Sequence, residues 1–202
     1  MPTTLPQLYL ASASPRRQEL LAQIGVCFER ISAPIDEIPF PNEAARDYVL
    51  RLAKAKAEAG WQVMLAHGKS PLPVLAADTT VVLDGQILGK PLDTSDAIGM
   101  LERLSGRSHD VFTSLGLRTA SGTEVVLSIS TVTFMPLSPA QIFAYVASGE
   151  PMDKAGSYGI QGMAGMFISE LQGSFSGVMG LPLHDTAALL ARHDLGFLAL
   201  KP

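Results

Sequence analysis

Apolar positions fall into short runs divided by polar, glycine- and proline-bearing segments, and their spacing predicts alternating strands and helices. Leu8–Ala11 reads as a short buried strand. Ser14-Pro15 then opens a helix, with Ser14 as N-cap and Pro15 in the first helical position. Leu20, Leu21 and Ile24 supply its apolar face, and Gly25 ends it. A second strand is predicted over Phe28–Ser32. A polar, proline-bearing loop containing Asp36-Glu37 follows, and then a helix capped by Asn42 and running to Ala59. Val74–Leu83, rich in valine and threonine, is a strong strand pattern. Asp84-Gly85 is a two-residue hairpin turn that returns the chain through Gln86–Gly89.

Farther along, Ala97, Met100, Leu101 and Leu104 recur at helical spacing over Ser95–Leu104, and Gly106 stops that helix. His109–Ala120 and Glu124–Phe134 predict a long antiparallel pair joined at Ser121-Gly122. Ser138–Gln141 carries the capping-box pattern of a further helix start. Between Gly156 and Gly180 lie seven of the 18 glycines, yet Phe167, Ile168, Leu171 and Phe175 in the same stretch need burial. That combination predicts packed loops with special backbone demands. A final helix starts near Pro182. Hairpins mixed with helical crossovers predict an α/β or α+β protein around a mixed, highly twisted sheet.

Composition narrows the classes. With 47% hydrophobic and 17% charged residues the chain carries a sizeable core. A net charge of −4 argues against sequence-independent binding to nucleic acid, which needs a basic surface, but not against a small anionic ligand. The single cysteine, Cys27, lies in an apolar run and is expected to be a buried structural thiol. Met1–Thr4 begin no secretory signal pattern, and no apolar run is long enough to span a membrane, so a cytoplasmic protein is expected.

Five places can carry chemistry. Ser12–Arg17 joins a strand end to a helix start, where backbone N–H groups attract phosphate. Arg16 and Arg17 in a first turn oppose the helix macrodipole, which a bound anion explains; an ordinary N-cap with solvated arginines is the bland reading. Lys56 continues the inward stripe of Ala45, Val49 and Leu52, while Lys54 and Arg51 point elsewhere. It either faces a site or snorkels out at the helix end. Asp78 interrupts a strongly apolar strand and needs a partner: a metal, a proton to accept, or a structural hydrogen bond. A regular hairpin ladder places Thr79 opposite Lys90, although Pro91 favours an end or bulge there. Glu37 by itself is a loop acid, and Gln161 between Gly159 and Gly162 can approach a ligand closely. His67, His109, His184 and His193 have no metal-ligand spacing. There is no Walker-A pattern, dinucleotide fingerprint or nucleophile elbow.

Together, Leu10–Arg17, Ile35–Glu37, Arg51–Lys56, Ala77–Thr79, Gly89–Pro91, Leu104–Gly106, Asp153–Gly162 and Val178–Pro182 resemble the Maf family in order and spacing, from Leu8 to about Leu190. The resemblance implies a single domain over residues 1–202 with the inosine-triphosphatase-like fold: a long mixed sheet flanked by helices, with a cleft between two lobes. It further implies cleavage of the α–β phosphoanhydride of nucleoside triphosphates with a divalent metal, Mg²⁺ or Mn²⁺, in a homodimer. Carried over by motif, Ser12, Arg16, Arg17, Lys56 and Lys90 bind phosphate. Asp78 matches the proton acceptor, and Glu37 a second acid that helps hold metal. Arg16, Thr79 and Gln161 resemble the branch acting on dTTP and UTP. The 7-methyl-GTP branch has tryptophan, glutamine and glutamate at those positions. A non-enzymatic role in septum formation is the alternative from another class.

Overall fold

The computed structural model describes residues 5–196; Met1–Thr4 lie outside them. Seven strands form one mixed sheet in the order β2-β1-β3-β5-β6-β7, with β4 paired to β3 beside this path. β1 (Leu8–Leu10) lies parallel to β2 (Phe28–Arg30) and to β3 (Val74–Leu83). The remaining pairs are antiparallel: β3 with β4 (Gln86–Leu88) and with β5 (Ser108–Thr119), β5 with β6 (Gly122–Phe134), and β6 with β7 (Ile168–Gln172).

Helix α1 (Pro15–Gln23) starts as its sequence predicts, with the Ser14 hydroxyl accepting from the Arg17 N–H and Pro15 at its head. Helix α2 (Ala45–Ala66) begins later than Asn42 and runs past Ala59. Asn42 has φ +59 in a turn that Phe40 and Glu43 close with reciprocal hydrogen bonds, so the chain becomes helical only after Ala44. Gly60 does not break α2, because it sits where the helix meets the sheet. A Cβ there would lie 2.7 Å from Val74 Cγ1, and a Cβ on Gly116 of β5 would lie 2.5 Å from Ala53 O. Contacts that close leave no room for a methyl group, whose insertion costs about 1–3 kcal/mol. They set α2 directly on β3 and β5, and so fix where Lys56 points.

The sheet buries both faces. Val74 and Ala76 pack with Ala57, Trp61 and Met64 of α2. Leu75 and Ala77, of opposite strand parity, pack with Leu20 and Leu21 of α1 and with Leu189 and Leu190 of α6 (Leu183–Ala191). Farther along, Val81, Val111 and Phe134 join α3 (Thr94–Leu104) and α4 (Pro139–Ala147) in a third cluster. The capping box at Ser138 is formed, with Gln141 answering its backbone N–H. The β5–β6 turn falls at Ala120-Ser121, since Thr119 pairs with Gly122, one residue before the predicted joint. The glycine-rich stretch folds into short 3₁₀ turns, β7, and the single-turn α5 (Phe175–Met179). Cys27 is half-buried rather than buried. No described helix is long and apolar enough to cross a membrane.

Candidate active site

β3 is paired along one edge to β5 from Val74 to Val82. Its other edge pairs with β1 only at Val74 and Leu75 and with β4 only from Val81 to Leu83. Among the described residues Ala76–Thr80 therefore have no strand partner on that edge, and a cavity of about 510 Å³ opens there, within the range of small-molecule sites. Every candidate residue named from the sequence lines it. Six cationic side chains and three acids face it, an excess of positive charge in a chain of net charge −4.

Asp78 sits in the gap. Strand alternation turns its side chain toward α2, where the inward stripe presents Lys56. Lys56 Nζ lies 2.7 Å from Asp78 Oδ1 and 2.7 Å from Glu37 Oε1, so one ammonium joins both acids. Burial raises the pKa of Asp78, and the charge and hydrogen bond of Lys56 oppose that rise. Asp78 Oδ2 and Glu37 Oε2 have no hydrogen-bond partner among the described residues. Lys54 points away to Glu58 at 4.0 Å.

Glu37 comes from an irregular loop that α2 holds by the side chains of Tyr48, Arg51 and Lys56. Tyr48 Oη donates to Glu37 O at 3.0 Å, and burial pushes the Tyr48 hydroxyl up to about 12, keeping it a donor. Arg51 grips Glu43 with two bonds of 2.6 Å and donates to Ile38 O. Its guanidinium also lies 4.0 Å from the centre of the Phe40 ring. Arg51, which points away from the inward stripe as its helical phase predicts, is thus an anchor for the acid loop.

The two arginines divide their work. Arg16 is partly exposed and approaches Asp153 at 3.5 Å. Arg17 turns inward and fills the gap beside β3: it donates to Ala77 O at 2.8 Å, Gly180 O at 2.8 Å, Thr79 Oγ1 at 3.1 Å and Ser12 Oγ at 3.3 Å. Four of its five N–H groups are committed to protein acceptors. Burial lowers its pKa and the Asp78 charge works against that. Ser12 Oγ accepts from Ser14 N and from Arg17, while its own proton has no protein acceptor among the described residues. Thr79 shares its hydroxyl with Thr113 at 3.0 Å.

The hairpin keeps the predicted register from Val81↔Leu88 to Leu83↔Gln86, but it stops before Thr79 and Lys90, as Pro91 favoured. β4 ends at Leu88, and Gly89 O is taken by Gly156 N. Lys90 is exposed at the cleft mouth. Gln161 lines the cleft too, exposed and on a turn. Arg30, Asp153, Lys154 and Tyr158 line the cleft as well and were not singled out from the sequence. The Asp153–Gly162 motif contained the last three, but its spacing gives no direction to side chains in 3₁₀ turns. Tyr158 Oη bonds His109 Nε2 at 2.8 Å behind the cleft wall, and burial lowers the His109 pKa to about 4. Among the described residues there is no group of three metal-type ligands.

The family model described as Maf-like protein matches residues 7–193. Three relatives named dTTP/UTP pyrophosphatase span almost the same length. The one from Chromobacterium violaceum is 54% identical over 98% of this chain and 98% of its own length. That from Aromatoleum aromaticum is 52% identical over 91% and 94%, and that from Escherichia coli 51% identical over 94% and 94%. Among solved structures, the Ham1 protein of Staphylococcus aureus is similar at 14% identity and a TM-score of 0.46, covering 79% of this chain and 90% of that one.

Proposed function

The chain belongs to the Maf family, and on that premise we infer that it is a nucleotide pyrophosphatase converting dTTP and UTP to the monophosphate and pyrophosphate. The observation that carries the reading is the cleft itself: a nucleotide-sized cavity with excess positive charge, centred on a buried carboxylate in the gap of β3.

A triphosphate brings about four negative charges, and fixed cations around it favour the developing charge of departing pyrophosphate. We assign Arg16, Lys90 and Lys56 to phosphate oxygens, with Ser12 donating its free hydroxyl proton. Arg17 contributes its one uncommitted N–H and holds the Ser12 turn against β3. Asp78 accepts a proton from the attacking water as the water oxygen bonds to phosphorus and the α–β bridging bond breaks. Burial makes Asp78 more basic than an ordinary carboxylate, which suits that role.

The donor chemistry also fits a divalent ion. Glu37 and Asp78 converge on one cation, Lys56, and each keeps an oxygen with no partner among the described residues. Hard divalent ions take such carboxylate oxygens together with phosphate oxygens. We propose Glu37 and Asp78 as the protein ligands of Mg²⁺ or Mn²⁺, which when bound neutralises phosphate charge and acidifies bound water. A homodimer and a cytoplasmic location belong to the same proposal.

For the base, Gln161 can accept from N3–H and donate to a carbonyl of uracil or thymine with the two ends of its amide. The thymine methyl adds only apolar contact, worth about 1–3 kcal/mol, so both pyrimidines are accepted. The test is kcat/KM, with magnesium, for UTP, dTTP, CTP, GTP and 7-methyl-GTP. UTP and dTTP should lead, CTP should be poorer, and the purines should be rejected. A preference for 7-methyl-GTP would move the chain to the other branch of the family. No turnover of any nucleotide would favour the non-enzymatic role in septum formation.

A further inference from the structure

Gln161 stands on a turn outside any helix or strand. Gly162 N donates to Gly159 O at 3.0 Å and closes it. What fixes the turn in space is a chain of side-chain hydrogen bonds from α4 and the residues after it. Gly159 N donates to Tyr145 Oη at 3.3 Å, and Tyr145 Oη donates to Glu150 Oε1 at 2.9 Å. Met163 N donates to Glu150 Oε2 at 3.0 Å. The two flanks of Gln161, at Gly159 and Met163, are thus tied to one tyrosine–glutamate pair.

Steric detail points the same way. A Cβ on Gly162 would stand 2.3 Å from Glu150 Oε1, so the carboxylate is seated flush against the turn. A Cβ on Gly159 would stand 2.8 Å from Lys154 Cε, and Lys154 Nζ is itself held by Asp153 Oδ1 and Glu150 O. Tyr145 is buried, with its ring edge-on to Phe167 at 5.3 Å. Burial and the Glu150 charge push its pKa up, so it remains a donor. Neither Tyr145 nor Glu150 lines the cleft.

We propose that Tyr145 and Glu150 are positioning residues that aim Gln161 at the nucleobase and so set base selectivity from outside the cleft. In a helix, backbone hydrogen bonds would orient such a side chain; here a carboxylate and a phenol do it. The proposal rests on the reading of Gln161 as the base reader, and the test separates the two.

Tyr145→Phe removes one oxygen and keeps the ring on Phe167. Glu150→Gln, which keeps volume, serves as the second variant. Kinetics with UTP and GTP are measured for both, for Gln161→Ala and for the Tyr145→Phe/Gln161→Ala double variant, along with inhibition by inorganic tripolyphosphate, which has no base. Tyr145→Phe and Glu150→Gln should each raise KM for UTP about 10-fold, with kcat changed far less, and lower the UTP-to-GTP preference about 10-fold. The tripolyphosphate inhibition constant should stay put. The double variant should be no worse than Gln161→Ala, since both changes act through one side chain. Selectivity lost in Gln161→Ala but kept in both positioning variants would overturn the proposal and leave the base reading standing. Selectivity kept in Gln161→Ala would overturn the base reading itself. A parallel rise in the tripolyphosphate constant would mean general loosening and also count against it.

Discussion

Asp78 and Lys56 stand in the middle of a ten-residue strand and a 22-residue helix, whereas Gln161, lining the same cleft, stands on a turn between 3₁₀ segments. On the first side, backbone periodicity fixes direction: a strand alternates faces and a helix repeats every 3.6 residues. The side chains need only be the right type at the right phase. On the second side direction comes from side-chain hydrogen bonds and from glycines that leave room for them. The first side should therefore fail through loss of charge, with the fold intact. The second should fail through loss of placement.

The sharpest break is Asp78→Asn. The amide keeps the size but neither charge nor basicity, and turnover should fall about 10²- to 10⁴-fold, the scale of general-base catalysis. The thermal midpoint should hold, because Asp78 is buried at a cost that the amide escapes. Near-normal turnover with Mg²⁺ or Mn²⁺ supplied would remove Asp78 from the mechanism.

Next comes the pair Lys56→Ala and Lys54→Ala, two positions apart on α2. Losing the Lys56 ammonium leaves Asp78 and Glu37 facing each other unpaired and should cost about 2–4 kcal/mol in kcat/KM. The exposed Lys54 should change it by less than about 0.5 kcal/mol. Equal effects would show that helical phase does not decide this side of the cleft.

The other side predicts acid sensitivity. His109, behind Tyr158, is held neutral by burial, its pKa lowered from 6.5 to about 4. Below pH 6.5 the unfolded chain takes up a proton that the folded chain refuses. Stability present above pH 6.5 is lost as the pH falls toward 4, by about 3 kcal/mol at most. His109→Gln should lose less stability than the parent across that window in denaturant titrations. Parallel curves would exclude His109 as a source of the acid slope.

The smallest effect is expected from Gln161→Glu. A carboxylate still accepts from N3–H but cannot donate to the carbonyl, so kcat/KM for UTP and dTTP should fall about 10-fold, with 7-methyl-GTP less affected. An unchanged pyrimidine rate would contradict the base assignment.

The same contrast explains what could be read in advance. The strand at Val74–Leu83, its turn and the α1 cap follow from local pattern alone, and the inward phase of Lys56 from the stripe it shares with Val49 and Leu52. Pro91 announced that the hairpin ladder would end near Lys90, but nothing local names Gly156, which claims Gly89 O there. Arg17 read as a solvated or phosphate-facing charge, yet three of its acceptors lie more than 50 residues away in sequence. The Arg51–Glu43 clamp depends on a loop fold that polarity does not encode. Gly159 and Gly162 were read as room for a ligand beside Gln161, and nothing local shows that Lys154 and Glu150 pack against them.

The central claim is that water cleaves the α–β bond of UTP with Asp78 in this cleft, and product analysis tests it most directly. Purified protein is incubated with UTP and magnesium, and the phosphorus-containing products are followed by ³¹P NMR in parallel with the Asp78→Asn variant. UMP and pyrophosphate should form in equal amounts from the parent, with almost none from the variant. UDP with orthophosphate, or the same products at the same rate from Asp78→Asn, would contradict that claim.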